Sequence, residues 1–266
     1  MQTAGDAVTY RRLTQAQVDE SCRRHERLAK LRPGGARAIF SFTDLTGLVL
    51  RERPLMGANF SGAILRDADL SGADLDNAGF FGADLKAARL VRTSLKRADL
   101  RGAVLRDADL TGADLFMADL RAGQMAAADR DEGYKTLSHA YGAADATGAN
   151  LTGANLNGVI SGRITGNPTL PTGWKLVNGY LVGPSAQLTG ANLNNADLTG
   201  ANLSSAGVAS ANLSYANLSN ANLSNTDLSN TDLTGANLTG ANLNGANLTD
   251  ATCPNGKVHG QSGANC

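Results

Sequence analysis

Residues 68–90 read ADLSGADLDNAGFFGADLKAARL, with a large apolar residue at every fifth position from Leu70 onward. The same period runs without a slip in register over residues 40–125, which gives 18 apolar centres. It returns in a second phase over residues 188–248, and Cys253 occupies the next centre. A period of five matches neither the 3.6-residue repeat of a helix nor the two-residue repeat of a strand. We therefore expect the chain to turn once in every unit.

Each unit reads Ala-Asp-Leu or Ala-Asn-Leu followed by two small or polar residues, as in residues 68–72 and 201–205. These units resemble the pentapeptide repeat family over roughly residues 38–125, 149–156 and 186–253. The resemblance implies an all-β fold, a right-handed quadrilateral β-helix with four pentapeptides per coil, and a bacterial protein. The central Leu or Phe would stack inside, with the preceding Ala beneath a corner. The expected core ladder includes Leu65, Leu70, Leu75, Phe80, Leu85, Leu198, Leu203, Leu213 and Leu218.

Interruptions of the period predict five segments. They are an N-terminal segment with a short capping helix (1–37), a first repeat block (38–125), a loop insertion (126–148), an interrupted second block (149–252, irregular over 157–187) and a cysteine-bracketed C-terminal cap (253–266). Within the irregular stretch, Leu176 and Leu181 are still five apart, so we expect part of it to rejoin the coil. Trp174 and Tyr180 would pack over one side.

The N-terminal helix is expected over residues 14–31. Thr14 suits the N-cap, Gln17 suits the capping-box position, and Pro33-Gly34-Gly35 ends the helix. We interpret this helix as a cap over the first coil, because an open coil end exposes unpaired backbone groups. Residues 1–39 carry eight Lys/Arg against four Asp/Glu, an excess that suits either an acidic partner or a solvated helix face.

The C-terminal tail, from Cys253-Pro254 to Cys266, resembles that of some exported bacterial members of the family. The resemblance implies a disulfide between Cys253 and Cys266, and two free thiols are the alternative. The first residues show no basic region followed by an apolar run, so no secretory signal is predicted, and we expect no membrane span. The missing signal favours the cytoplasm, where both thiols stay reduced, whereas the tail favours export. The compartment stays open.

Motifs for catalysis or metal binding are scarce. The histidines His25, His139 and His259 fall in the helix, the insertion and the tail, and Cys22-x-x-His25 is half of a metal site. A structural zinc needs four ligands, and the glycines and aspartates are explained by the repeat. We therefore expect no enzyme activity, no metal and no cofactor.

Residues twenty apart should stack on adjacent coils of the first block. Arg66, Lys86 and Arg106 would then form a basic column, either a binding stripe or a solvated ladder. Asp69, Arg89 and Asp109 would alternate in sign. Residues 40–125 hold twelve Asp/Glu and eleven Lys/Arg, so this block is nearly neutral.

Apolar residues stand at three outward positions of the first block, Phe81, Phe116 and Met117. Phe116 and Met117 should share a side with Met56. They form either an adhesive patch or a surface covered by the insertion from Ala126 onward.

The second block carries Asn, Ser, Thr and Gly outside, and no Lys or Arg over residues 187–252. Stacked Asn side chains should hydrogen-bond along the axis. Thr199, Ser219 and Thr239 would make a hydroxyl column, which raises an ice-facing or carbohydrate-facing surface as a remote alternative.

The sequence thus predicts a non-enzymatic scaffold that binds a partner protein, as a monomer or a weak homo-oligomer. The alternative follows from family members that mimic the DNA duplex and modulate type II topoisomerases such as gyrase. That mimicry requires acidic faces, so the balanced first block weighs against it. We expect no direct binding of nucleic acid.

Overall fold

The computed structural model describes residues 10–124, 127–129, 133–135, 140–141 and 144–266. Parallel single-residue β-bridges join positions twenty apart, beginning with Ile39 to Asn59 and running to Asp99 with Asp119. Twenty residues are four pentapeptides, so each coil has four faces. Parallel strand crossovers are right-handed. The fold is the right-handed quadrilateral β-helix that the family resemblance implies.

Each position of the unit has its own physical task. The Leu70 N–H donates to the Arg89 carbonyl of the next coil at 2.8 Å, and the Ala73 N–H closes the corner on the Leu70 carbonyl at 3.1 Å. Asp69 Oδ1 accepts the Ser71 N–H at 3.0 Å. This hydrogen bond explains why the residue before most centres is Asp or Asn. The second residue after the centre has a left-handed φ, +68° at Gly72, which explains Gly or Asn there.

The interior is a stack of apolar centres, flanked by alanines two residues earlier. All nine ladder residues named above are fully buried. Phe60 stacks between Phe40 and Phe80, with ring centroids 5.0 and 4.8 Å apart. Burial of each large side chain contributes about 1.5 to 3 kcal/mol before chain entropy is counted.

The N-terminal edge of the first coil is covered by one helix and one short strand. β1 (Arg11–Arg12) pairs in parallel with β2 (Thr43–Asp44), and α1 spans Gln15–Ala29. The Thr14–Gln17 capping box is present, and α1 buries Val18, Cys22 and His25.

Side chains of α1 complete the hydrogen bonds of this edge. Gln15 accepts the Val49 N–H at 2.9 Å and donates to its carbonyl at 2.8 Å, as a further strand would. His25 Nδ1 accepts the Ala38 N–H at 3.0 Å. Pro54, at the next strand position, has no N–H to satisfy.

The first interruption begins earlier than the predicted 126–148. Val104 bridges to Asp145, an offset of 41, and the coil resumes at Ala144. The described residues of the excursion form two antiparallel pairs. They are β3 (Gly123–Gln124) with β6 (Ala140–Tyr141), and β4 (Ala127–Asp129) with β5 (Gly133–Lys135).

Because β3 pairs with β6 and not with the coil, the predicted repeat stops continuing the stack at Gly123 and Gln124. The next core centre after Leu120 is Ala146, which is 3% exposed. Met125, predicted as a centre, lies outside the described residues.

The second interruption contains a hairpin. β7 (Lys175–Val177) pairs antiparallel with β8 (Tyr180–Val182), and Leu176 lies opposite Leu181. Leu176 and Leu181 therefore owe their spacing to a two-residue turn. Other residues of the irregular stretch do rejoin the coil, since Thr165 bridges to Asp145 and Thr169 bridges to Asn150. Trp174 packs against the cores on both sides.

The two repeat blocks form one stack. The Ile160 N–H donates to the Ala118 carbonyl of the coil before, and the Gln187 N–H donates to the Val159 carbonyl, both at 3.0 Å. No helix in the described ranges is long and apolar enough to cross a membrane.

At the C-terminal end, Cys253 and Cys266 form a disulfide with a Cα–Cα distance of 5.0 Å. The tail folds back on the last coil, where the Cys253 N–H donates to the Lys257 carbonyl and the His259 N–H donates to the Ala251 carbonyl.

Candidate interaction surface

The outer faces of the first block are crossed by ion pairs with a constant sequence offset. A base just after one centre pairs with the Asp before a centre on the next coil, 18 residues later. The pairs are Arg51–Asp69 (3.6 Å), Arg66–Asp84 (2.6 Å), Lys96–Asp114 (3.5 Å) and Arg101–Asp119 (3.9 Å). Arg106–Asp145 (2.8 Å) makes the same step across the insertion.

The predicted alternating column is also present, since Asp69 bridges to Arg89 and Arg89 bridges to Asp109, and the diagonal pairs add to it. The carboxylate before each centre uses Oδ1 to accept the N–H two residues on, as Asp84 does from Lys86 at 3.1 Å. Its Oδ2 remains for a base on the preceding coil, here Arg66. Stacked positions are 20 residues apart, whereas each of these bases pairs with an acid 18 residues further on. That spacing of 18 is the signal in the sequence that predicts the pairs.

The predicted basic column lies in a groove that also contains acidic side chains, and we call it the balanced groove. Arg66, Lys86 and Arg106 line a cleft of about 470 Å³ together with Asp67, Asp84 and Asp145. Hydrogen bonds from Thr147 and then from Arg106 lower the pKa of Asp145, against the opposing effect of its partial burial. The groove therefore holds as many carboxylates as bases and is a weak candidate for an anion site.

Phe81 is not an exposed residue, contrary to expectation. It is 6% exposed, and the Arg101 guanidinium lies 5.1 Å from its ring centroid. Two hydrogen bonds of 2.8 and 2.7 Å to Asp99 hold Arg101 in that position. The aromatic ring is thus covered by its neighbour on the next coil.

Phe116 and Met117 do reach solvent, with 37% and 41% of their surface exposed. Phe116 follows Arg106 by two pentapeptides, so it lies on the opposite face from the balanced groove. Met56 shares its column and is 55% exposed, but three coils separate the two residues.

An apolar groove of about 390 Å³ continues from Met117 toward the hairpin, lined also by Ile160, Tyr180 and Leu188. We call Phe116, Met117 and this groove the Phe116 surface. A Cβ on Gly158 would lie 2.9 Å from Met117 Cγ, so a glycine there leaves room for the methionine. The predicted alternative, cover by the insertion from Ala126, falls on side chains outside the described residues.

The second block presents neutral amide ladders. Asn222 donates to Asn202 and Asn242 donates to Asn222, at 3.3 and 3.2 Å between side chains. Sequence reasoning missed Tyr215, which is 63% exposed at a corner position that usually holds Asn or Gly. An aromatic residue at that position was the available signal.

Cys22 and His25 lie on the buried side of α1, in the N-terminal cap. Both side chains are buried, and burial raises the pKa of Cys22 to about 11, so the thiol stays protonated near neutral pH. Within the described ranges, no cluster of three or more His, Cys, Asp or Glu side chains is arranged to hold a metal ion. His139 lies outside those ranges.

The comparisons with known proteins agree with the repeat geometry. Eight copies of the model for pentapeptide repeats match residues 55–90, 80–115, 185–213 and 211–250. No curated protein matches the chain.

Three solved structures illustrate the similarity. HetL, a pentapeptide repeat protein involved in heterocyst differentiation regulation from the cyanobacterium Nostoc, is 31% identical over 84% of this chain and 82% of its own, with a TM-score of 0.41. Rfr23, a pentapeptide repeat protein from the cyanobacterium Cyanothece, is 28% identical over 49% and 65%, with a TM-score of 0.25. QnrB1, a plasmid-mediated fluoroquinolone resistance protein, is 16% identical over 80% and 85%, with a TM-score of 0.34.

Proposed function

Because the chain belongs to the pentapeptide repeat family, we propose that it is a non-enzymatic scaffold that binds a partner protein through the Phe116 surface. Members of the family are generally non-catalytic repeat proteins. The observation that carries the proposal is that Phe116 and Met117 are exposed side by side, next to an apolar groove.

Folding alone does not select these two residues. Met117 occupies a corner with φ of +57°, where a relaxed backbone favours Gly or Asn. Phe116 stands where the repeats place small or charged residues. Exposed aromatic and Met side chains beside fixed charges, such as the Lys96–Asp114 pair, are typical of the centre of a protein interface.

A site-specific crosslink tests the proposal. A photoreactive phenylalanine placed at Phe116 should capture one partner protein from cells of the source organism, and the Met117→Ser change should abolish that capture. The same probe at Arg66, on the opposite face, is the matched control. Equal capture from both positions, or capture unchanged by Met117→Ser, would count against the Phe116 surface.

The topoisomerase-directed alternative has less support, because the acids of the first block are balanced by a nearly equal number of bases and several of them form ion pairs with those bases. A gyrase supercoiling assay separates the two proposals. Strong inhibition of gyrase, or its protection from poisons, would overturn the ranking. A stable partner captured at Phe116 without any effect on supercoiling would support the scaffold.

A further inference from the structure

The two edges of a coil carry different hydrogen-bonding groups. Leu218 and Asn220 donate their N–H groups to the Asn237 and Thr239 carbonyls of the next coil, at 2.8 and 2.9 Å, and the Ala216 carbonyl accepts the Asn237 N–H at 2.9 Å. Each pentapeptide thus points two N–H groups and one carbonyl toward the C-terminal end. Toward the N-terminal end, each pentapeptide points one N–H group and two carbonyls. The edges are complementary to each other, and neither is complementary to itself.

The last coil leaves this donor-rich edge open on three faces. In the part of the chain that the structure describes, no hydrogen bond satisfies the edge groups of residues 236–250. They are the N–H groups of Leu238, Gly240, Leu243, Gly245, Leu248 and Asp250 and the carbonyls of Ala236, Ala241 and Ala246. The centres Leu238, Leu243 and Leu248 are only partly buried, whereas the centres of the first coil are fully buried beneath α1.

The tail covers only the fourth face. There the Cys253 and Asn255 N–H groups donate to the Lys257 carbonyl and to Asn265 Oδ1, and the Ala251 carbonyl accepts the His259 N–H. Cys266 packs against the core at this end. An incoming chain therefore finds three adjacent open faces and not a whole coil.

We propose that this open end binds an extended segment of a partner protein that supplies three successive pentapeptides, added in parallel as the next strands. Such a segment presents the carbonyl-rich edge that the exposed N–H groups require. Its apolar centres would cover Leu238, Leu243 and Leu248. An Asn before each centre would extend the ladders, in which Nδ2 donates to Oδ1 of the preceding coil, as Asn242 does to Asn222.

A second copy of this chain does not fit the end. Its own open end would place donors against donors. Its first coil is already covered by α1, β1 and the Gln15 amide. The hydrogen-bond complementarity therefore favours a different polypeptide that carries pentapeptides without such a cap.

The test uses the full-length protein and a synthetic peptide of three Ala-Asn-Leu-Thr-Gly units. We expect saturable binding, with amide hydrogen exchange slowed over residues 236–250 and unchanged over residues 45–60. A peptide with Ser at the three Leu positions should not bind. Leu243→Arg should weaken binding about tenfold or more, whereas Asn244→Arg, on the outer side of the same unit, should leave it within about twofold.

A thermal melt of each variant, together with exchange over the unchanged first coil, shows whether the variant keeps its fold. The proposal is overturned if the Leu peptide does not bind, if the Ser peptide binds equally well, or if protection falls outside residues 236–250. Sedimentation that shows a dimer joined through residues 236–250 would overturn it as well, since donors would then face donors. None of these outcomes involves Phe116, so this proposal and the scaffold proposal can fail independently.

Discussion

At the scale of single residues, the side chain before each core centre has two tasks. Asp84 uses Oδ1 to fix its own corner through the Lys86 N–H and Oδ2 to hold Arg66 on the preceding coil. Asn in the second block fixes the corner in the same way and extends an amide ladder with its Nδ2. The choice between Asp and Asn therefore sets whether a face is tied by charge or by neutral hydrogen bonds.

The Phe stack gives the first prediction. Phe60→Ala should lower the free energy of unfolding by about 3 to 5 kcal/mol, because the variant loses ring burial and leaves a cavity between Phe40 and Phe80. Phe116→Ala should change it by less than about 0.5 kcal/mol, since that ring is partly in solvent. Urea denaturation measures both values. Similar losses for both variants would contradict the assigned burial.

His25 gives a pH-dependent prediction. Burial lowers its pKa, a hydrogen bond with the Met56 backbone opposes this, and the charge of Arg37 lowers the pKa further. In the unfolded chain the imidazole titrates near its ordinary value of 6.5, so the unfolded chain takes up the proton first. Stability should therefore fall as the pH drops through 6.5 toward the folded pKa, and His25 should cause no further loss below that point.

Protonation also removes the Nδ1 lone pair that accepts the Ala38 N–H. His25→Gln should flatten the dependence of the melting temperature on pH between about 7 and 5, the window in which histidine changes charge. An equal slope in wild type and His25→Gln would contradict the role of His25 in the cap.

At the scale of elements, the cap substitutes for a missing coil. The Gln15 amide takes the place of one strand, and β1 takes the place of another. The capping box could be predicted because Thr14 and Gln17 are close in sequence. The role of Gln15 could not, since its partner Val49 is 34 residues away and nothing local marks the contact.

Gln15→Ala should destabilise the cap by about 1 to 3 kcal/mol, because the Val49 N–H and carbonyl lose their partners. Arg23→Ala removes an exposed ion pair with Glu20 and a hydrogen bond to the Asp19 carbonyl within α1, makes no contact to Val49, and serves as the matched control. Hydrogen exchange of residues 15–29 and of Val49 reports the difference. Equal exchange rates in the two variants would show that the Gln15 amide does not hold the edge.

The tail gives a further prediction at this scale. Cys266→Ser should lower the free energy of unfolding by about 2 to 3 kcal/mol, because the disulfide with Cys253 restricts the unfolded chain. A thiol reductant should bring the melting temperature of the wild type to that of the variant and leave the variant unchanged. A wild type insensitive to reductant under denaturing conditions would mean that the pair is not oxidised.

The elements that the sequence misplaced share one physical cause. Spacing by five reports the coil only when the next turn is a repeat corner. Leu176 and Leu181 have the same spacing because a two-residue hairpin turn lies between β7 and β8. After Leu120, the pairing of β3 with β6 overrides a period that the sequence still shows, and Ala146 becomes the next centre. The regular coils were predicted well because their partners lie at one fixed distance.

At the scale of the whole molecule, the two halves are tied by different forces. Ion pairs between coils run from Arg51–Asp69 to Arg106–Asp145, whereas residues 187–252 contain no base. Exposed ion pairs contribute about 0.2 to 1 kcal/mol each, and salt screens them. Neutral amide ladders are not screened in this way.

Raising NaCl from about 0.05 M to about 1 M, which shortens the screening length severalfold, should therefore speed hydrogen exchange in residues 45–120. Exchange over residues 187–235 should stay unchanged. Mass spectrometry of the same sample reports both halves, so each is the control for the other. Equal acceleration in both halves would contradict the assignment of charge-based pairing to the first block alone.

The difference between the two edges of a coil also bears on how the chain is made. Synthesis delivers α1 before the coils, and each completed turn leaves the donor-rich surface on which the next twenty residues can settle. Contacts between neighbouring turns need no distant part of the chain. We expect the nascent polypeptide to become protease-resistant in steps of one turn as it leaves the ribosome, with growth always proceeding from the capped base.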